Sequence, residues 1–159
     1  MNRQEKARLE YNNGYYADKL TQGIEFQDAA TKILWQHGIV IVGYSSRRFQ
    51  NECGENIMGA EIKRDGHFRN TGNIYIEVSE KAHPDNHSFA PSGIYKKDNQ
   101  WLFIIGDEET LYIFPTKYLR KLEKRYTAVE TPTSTGFLLP LEDAEKYCIK
   151  KIEVKNNKN

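Results

Sequence analysis

Two neighbouring segments that alternate apolar and charged residues constrain this chain more than any other feature. Residues 60–65 read AEIKRD, which places three charged side chains on one face of an extended strand: Glu61, Lys63 and Asp65. Residues 74–81 read IYIEVSEK, with apolar residues on one face and four others on the opposite face: Tyr75, Glu77, Ser79 and Lys81. Turn-forming residues separate the two segments, so the pattern predicts two strands joined as an antiparallel pair.

The charged face of these two strands is suited to a divalent cation. Charged side chains in the middle of strands are costly to desolvate unless they are exposed, paired or bound to an ion. Glu61, Asp65 and Glu77 offer carboxylate oxygens, the ligands that Mg²⁺ and Mn²⁺ prefer. Lys63 and Lys81 share this face, where a lysine can position or deprotonate a metal-bound water. The alternative is a ribbon whose outer face is solvated and salt-bridged.

Helical periodicity and β-branched runs define the other elements. Helices are predicted over Leu20–His37, from Pro115 to Arg125 and over Glu142–Tyr147. Strands are predicted over Ile39–Val42, Trp101–Ile105, Leu111–Phe114 and Ile149–Val154. Because strands and helices do not alternate regularly, this order predicts an α/β (α+β) fold with a central mixed sheet flanked by helices.

Length and composition indicate a single domain spanning 1–159, a size that folds on its own hydrophobic core. Polar composition predicts a loose arm or short helix over 1–16, loops over 82–92 and 131–136, and a disordered tail over 155–159. Cys53 and Cys148 are too few for a disulfide framework and are interpreted as reduced thiols. With no signal-peptide pattern and no membrane-spanning apolar run, we expect a cytoplasmic protein.

A local basic patch is needed for nucleic-acid binding, because the formal net charge is only +1. The predicted helix after Pro115 carries cations at helical spacing, and two more follow the first predicted strand: Lys117, Arg120, Lys121, Lys124, Arg125, Arg47 and Arg48. These residues predict contacts with a DNA phosphate backbone, and a solvated helix face is the alternative. Tyr95 either stacks on a base or packs within the protein, and the sequence does not decide between the two.

The charged strands also resemble a known family. The run from Glu61 to Asp65, followed by Thr71-Gly72-Asn73 and IYIEVSEK, is similar to the core of the PD-(D/E)XK nuclease superfamily, with its restriction-endonuclease-like fold. The resemblance implies metal-binding and catalytic roles for Asp65 as first acid and Glu77 as second, with Glu61 as an added ligand and Glu25 as a helix carboxylate. Ser79 stands where the family has lysine, so the resemblance assigns the lysine role to Lys81 or Lys63. A second alignment takes Glu61-Ile62-Lys63 as the Glu-X-Lys group, with Glu52 or Glu55 as first acid.

The resemblance implies a magnesium-dependent (or manganese-dependent) endodeoxyribonuclease that hydrolyses DNA phosphodiester bonds. Since each chain would carry one active site, cleavage of both strands implies a homodimer or higher oligomer. The competing hypothesis is a non-catalytic DNA-binding or assembly protein that keeps the nuclease-like fold. A third is an unrelated small α/β interaction protein.

Overall fold

The protein is described by a computed structural model that covers residues 2–12 and 14–154. Six α-helices occur in this part of the chain: α1 (Arg3–Asn12), α2 (Tyr15–Gln36), α3 (Arg47–Cys53), α4 (Phe68–Thr71), α5 (Thr116–Leu122) and α6 (Leu141–Tyr147). The strands are β1 (Ala60–Arg64), β2 (Asn73–Glu80), β3 (Ala90–Pro91), β4 (Leu102–Gly106), β5 (Thr110–Pro115), β6 (Ala128–Glu130), β7 (Ser134–Pro140) and β8 (Lys150–Glu153). The fold is therefore mixed α and β.

The strands form two four-stranded sheets. Sheet A has the order β1-β4-β5-β8, with β1 parallel to β4 and the other pairs antiparallel. Sheet B has the order β3-β2-β7-β6 and is antiparallel throughout. The prediction of mixed sheet structure is confirmed in sheet A, but the strands are divided between two sheets rather than gathered in one.

Two hydrophobic cores hold these layers together. Helix α2 packs Phe26, Ala30 and Leu34 onto one face of sheet A, where Ile62 and Ile104 are also buried. The second core joins the other face of sheet A to sheet B and to α5 and α6, through buried residues that include Ile74, Ile76, Phe103, Phe114, Leu119 and Phe137. Each such buried side chain contributes about 1.5–3 kcal/mol by leaving water.

The predicted antiparallel pairing of the two charged strands is wrong. Strand β1 pairs with β4, whereas β2 pairs with β3 and β7 in the other sheet. The chain between them does not make a hairpin turn, because it forms the short helix α4. Asp65 Oδ1 accepts hydrogen bonds from the backbone N–H groups of His67 and Phe68 at 2.8 and 3.1 Å, and Phe68 is buried. These contacts redirect the chain from one sheet to the other.

The predicted strand over Ile39–Val42 is also wrong. Ile39 and Ile41 pack against the core between α2 and sheet A, but Val40 and Val42 are about half exposed, at 53% and 47%. The backbone pairs only locally, since Val42 O accepts a hydrogen bond from Ile57 N at 3.0 Å. The β-branched run therefore buries alternate side chains without joining a sheet.

Most other predicted elements are confirmed, with shifted ends. Helix α2 begins at Tyr15, five residues before the predicted start, and β4, β5, α6 and β8 lie where strands and a helix were expected. The helix after Pro115 ends in a 3-10 turn over Glu123–Arg125. The predicted loop over 131–136 is partly strand, because β7 begins at Ser134.

The N-terminal arm is helical and touches the body of the protein. Within the predicted arm 1–16, α1 buries Ala7, and Arg8 Nε lies 2.6 Å from Asp85 Oδ1 in the predicted loop over 82–92. The predicted tail over 155–159 lies outside the described residues. No helix in the described ranges is both long and apolar enough to cross a membrane.

The close approach of β4 and β5 at Gly106 predicts an effect on stability. A Cβ atom on Gly106 would lie 1.9 Å from Thr110 O, so we expect Gly106→Ala to lower the free energy of unfolding by about 3 kcal/mol. Gly23→Ala in α2 is the matched control, because nothing lies within 4 Å of the added methyl group. It should raise stability by about 0.5–1 kcal/mol. Urea unfolding measures both, and an unchanged midpoint for Gly106→Ala would contradict the packing of this turn.

Candidate active site

An open cavity of about 640 Å³ lies between α2, β1 and β2. Helix α2 supplies Gly23, Ile24 and Gln27 to its wall, while β1 and β2 supply Lys63 and Tyr75. Tyr75 is paired with Leu138 of β7, which is 40% exposed, so this is the outer face of sheet B. The cavity therefore brings together one edge of sheet A and the outer face of sheet B.

A buried carboxylate and a lysine stand side by side on β1 next to this cavity. Glu61 is only 2% exposed, and Lys63 Nζ lies 2.6 Å from Glu61 Oε1. This contact is an ion pair, although Oε1 receives no hydrogen bond of ordinary geometry within the described part of the chain. A buried carboxylate is costly unless it is compensated, so Glu61 depends on the cations around it.

Lys63 is held in its charged form. Burial alone would lower the pKa of its ammonium group, but Glu61, followed by Glu55 and Glu77, raises that pKa above its usual value. At neutral pH Lys63 is therefore an ammonium ion. It is suited to binding an anionic oxygen or orienting a water molecule rather than to accepting a proton.

A second lysine, Lys96, enters the same charged group from the loop before β4. Its Nζ lies 3.7 Å from Glu55 Oε1, 3.7 Å from Glu61 Oε2 and 3.5 Å from Asp98 Oδ2. Desolvation lowers the pKa of Lys96, while Glu61, Glu55 and Asp98 raise it, with a net rise. Lys96 therefore also remains charged and balances part of the acidic group.

Glu77 reaches the group from β2. Ser92 Oγ donates a hydrogen bond to Glu77 Oε1 at 2.7 Å. Burial raises the pKa of Glu77, and Glu80 and Glu61 add to the rise, while Ser92 and Lys63 oppose it. The pKa of Glu55 is raised in the same way, first by burial and then by Glu61. These residues are called the acid–lysine cluster below: Glu55, Glu61, Lys63, Glu77, Lys96 and Asp98.

The acid–lysine cluster contains more carboxyl groups than cations. Two lysines face four acids, and the pKa values of Glu55 and Glu77 are raised first by burial and then by neighbouring carboxyls. An added cation would offset both the burial of these charges and their mutual repulsion. Within residues 2–12 and 14–154, however, no three His, Cys, Asp or Glu side chains already converge as a ligand set.

A 3-10 turn over Gly93–Tyr95 holds the loop against β2. Gly93 has φ +50°, and a Cβ atom there would lie 2.1 Å from Glu77 O. Glycine is therefore required both by the backbone conformation and by the close contact. This turn positions Ser92 beside Glu77 on one side and Lys96 beside Glu61 on the other.

Asp65 lines the cavity but is engaged by the backbone. Its Oδ1 caps α4, and its Oδ2 accepts a hydrogen bond from Tyr75 N at 3.0 Å. The two oxygens of a carboxylate together accept about four hydrogen bonds, so Oδ2 retains capacity for a cation. Asp65 therefore ties the end of β1 to β2 and stays a candidate ligand at the rim of the cavity.

Lys81 and Glu25 lie away from the acid–lysine cluster. Lys81 Nζ donates to Asn86 O at 3.0 Å and lies 4.8 Å from the centre of the Phe89 ring. An irregularity in the pairing between Glu77 and Ser79 breaks the alternation that predicted Lys81 beside Glu77. Glu25 is exposed on α2 and does not line the cavity, whereas Gln27 does and donates to Glu55 Oε2 at 3.3 Å.

The predicted DNA-binding residues are exposed to different degrees. Arg47 and Arg48 lie on α3, where Arg48 pairs with Glu52 at 2.8 Å. On α5 and the 3-10 turn that follows, Lys117, Lys121 and Lys124 are exposed and form no ion pair with a described residue. The two arginines are engaged, since Arg120 Nε donates to Ile94 O at 2.7 Å and Arg125 Nη1 donates to Tyr147 Oη at 3.3 Å.

Sequence patterns gave little indication of half of the acid–lysine cluster. Two members of the cluster, Lys96 and Asp98, lie in the irregular segment before β4, as does Ser92 beside Glu77, and no periodicity there marks an inward-facing residue. Glu55 was predicted only as one of two possible first acids in the second alignment with the nuclease family. The one available signal was the literal Glu61-Ile62-Lys63 match, which places an acid and a lysine on the same strand face.

Comparison of the chain with models of known families, with curated proteins and with solved structures gave no match. Inference about function therefore depends on the geometry and chemistry of the acid–lysine cluster and the cavity beside it.

Replacing Glu77 by glutamine should stabilise the protein at neutral and alkaline pH. Because the folded-state pKa of Glu77 is raised, the folded protein holds this proton more tightly, and ionisation above that pKa costs stability. Glutamine keeps the acceptor for Ser92 but removes the charge. We expect a higher melting temperature for Glu77→Gln at pH 8, and a difference that shrinks as the pH falls toward the usual range of a glutamate carboxyl.

Glu130→Gln is the control for this comparison, because Glu130 is exposed on β6 of the same sheet. Melting curves recorded from pH 4 to pH 8 should show little pH-dependent gain for this variant. A Glu77→Gln protein that is less stable than the parent at pH 8 would contradict the raised pKa of the Glu77 carboxyl described above.

Proposed function

We propose that this chain is a metal-dependent endodeoxyribonuclease that hydrolyses DNA phosphodiester bonds. The observation that carries the proposal is the buried Glu61 paired with Lys63, with Glu55 and Glu77 close enough to influence it, beside an open cavity. This arrangement favours the alignment in which Glu61-Ile62-Lys63 is the Glu-X-Lys group of a PD-(D/E)XK nuclease and Glu55 is the first acid. A restriction-endonuclease-like core is part of the same proposal.

The donor chemistry of the acid–lysine cluster fits Mg²⁺ or Mn²⁺. Glu61 is buried with Oε1 paired only to Lys63, and the pKa values of Glu55 and Glu77 are raised by burial and by neighbouring carboxyls. Hard divalent cations prefer such oxygen donors. We propose Glu61, Glu77 and Glu55 as ligands, with Asp65 at the rim, and their side chains would have to turn toward the ion. When bound, the ion would stabilise charge on the phosphorus centre and lower the pKa of a coordinated water.

The residues of this chain have separate roles in the proposed reaction. Lys63, kept charged by Glu61, would bind a non-bridging phosphate oxygen or orient the attacking water. The exposed cations of α3 and α5, such as Arg47, Lys117 and Lys121, would hold the phosphate backbone without reading bases. Cleavage of both strands would require two copies of the chain, so a homodimer belongs to the proposal.

Cleavage of supercoiled plasmid in the presence of Mg²⁺ or Mn²⁺ tests the proposal. We expect nicking by the parent protein, and a loss of at least about 100-fold in the variants Glu61→Gln, Lys63→Met and Glu77→Gln, because charge stabilisation and positioning are removed. Glu109→Gln is the matched control, since this carboxylate is exposed in the turn between β4 and β5. Equal nicking by the parent and by the Lys63→Met protein would point to a contaminating nuclease and contradict the assignment.

The second candidate function is a non-catalytic DNA-binding or assembly protein with a nuclease-like fold. It is favoured by the first alignment, with Asp65 and Glu77 as the acids, in which Ser79 stands at the family's lysine position. Ser79 Oγ is hydrogen-bonded to Thr135 Oγ1 at 2.5 Å. Binding of DNA by a folded parent protein that nicks with neither ion would support this function. A thermal shift on adding Mn²⁺, present in the parent and lost in Glu77→Gln, would separately show that the cation binds.

A further inference from the structure

A second pocket, of about 330 Å³, lies beside β2 and is lined by Val78, Ser79, Phe89, Pro91, Tyr95 and Lys97. We call it the Phe89–Tyr95 pocket. Its volume is in the range of sites that hold small ligands, and its walls combine aromatic and apolar surface with one lysine. The residues of the acid–lysine cluster do not line it.

Cations stand over both aromatic rings of this pocket. Lys81 Nζ lies 4.8 Å from the centre of the Phe89 ring, and Arg120 Cζ lies 5.2 Å from the centre of the Tyr95 ring. Tyr95 is fixed in place, because its hydroxyl donates a hydrogen bond to Glu123 Oε2 at 2.6 Å. An aromatic ring held rigidly in this way loses little conformational freedom when a ligand stacks on it.

Three cations around the pocket form no ion pair in the described part of the chain: Lys81, Lys97 and Arg120. One carboxylate is nevertheless close, because Glu123 accepts the hydrogen bond from Tyr95. The polar contacts of Lys81 and Arg120 are to the backbone carbonyls of Asn86 and Ile94. Cations without a salt bridge beside half-buried aromatic rings match a ligand with a flat ring and a negative group, which is the chemistry of a nucleotide.

The pocket is connected to the acid–lysine cluster by two short segments. Val78 and Ser79 directly follow Glu77 on β2, and two residues along a strand span at most about 7 Å. On the facing loop, Lys96 lies against Glu61 and Glu55, while the adjacent Lys97 lines the pocket. A strand of DNA with a phosphate at the cluster could therefore place a neighbouring base in the pocket.

We propose that the Phe89–Tyr95 pocket binds an unpaired base of the DNA next to the phosphate at the acid–lysine cluster, so that single-stranded or locally unpaired DNA is the preferred ligand. A base stacked within a duplex has both faces covered and cannot enter. The position of the base relative to a scissile phosphate rests on the proposed nuclease function, whereas binding of the base does not.

Binding measured in EDTA tests recognition of the base separately from hydrolysis, because EDTA removes the divalent cation. The probe is a fluorescently labelled 12-nucleotide single strand, compared with the same sequence as a duplex, and a second single strand carries 2-aminopurine. We expect tighter binding of the single strand and quenching of 2-aminopurine. Phe89→Leu and Tyr95→Leu should each weaken single-strand binding by about tenfold and reduce the quenching, because stacking is lost. Tyr95→Phe keeps the ring and loses only the hydrogen bond to Glu123, so it should weaken binding less than Tyr95→Leu.

Tyr118→Leu is the control for removal of an exposed aromatic ring, because Tyr118 lies on α5 and packs against Tyr147. Melting temperatures establish that each variant is folded. Equal affinity for duplex and single strand, or single-strand binding that survives both leucine substitutions, would overturn the inference. If the variants behave as expected but no plasmid is nicked, the nuclease proposal fails and the binding pocket stands. If plasmid is nicked while 2-aminopurine is never quenched, the pocket inference alone fails.

Discussion

The burial of the Glu61 carboxylate is the constraint on which the rest of the site depends. A charge that is 2% exposed needs compensation, and two lysines supply it from different parts of the chain. Lys63 is its neighbour on β1, whereas Lys96 comes from the segment between β3 and β4. The same electrostatic requirement thus connects β1 to a segment more than thirty residues away along the chain. The raised pKa values of Glu55 and Glu77 are the remaining cost of assembling these acids in one place.

The division of β1 and β2 between two sheets explains how the acid–lysine cluster can form. Strand β1 lies at one edge of sheet A, and β2 lies inside sheet B. Helix α4 turns the chain between them, so a residue of β1 and a residue of β2 can approach without pairing their backbones. Apolar residues on the opposite strand faces, such as Ile62 and Ile76, are buried in the two cores and hold each strand in register. Packing in the cores therefore positions the charged residues.

Most of the predicted strands and helices followed from local pattern, with the run Ile39–Val42 as an exception, but their arrangement in space did not. The alternation in 74–81 identifies β2 because one face is buried, and that period is a local property. Strand β2 pairs with β7, which follows it by about sixty residues along the chain. No local pattern in the sequence predicts this pairing. For the same reason Glu61 and Lys63 could be identified as neighbours from their spacing on one strand. Lys96 could not be identified in this way, since its position beside Glu61 depends on how a loop packs. Lys81 was misplaced because a single irregularity in β2 changes the direction of the residues after it.

Two adjacent lysines, Lys96 and Lys97, follow the 3-10 turn at Gly93 and contact different sites. Lys96 faces the acids and Lys97 faces the aromatic pocket, although only one peptide bond separates them. Insertion or deletion of a single residue between Gly93 and Lys96 would therefore displace both ammonium groups from these contacts. A change in the length of this one segment would disturb the charged cluster and the aromatic pocket together.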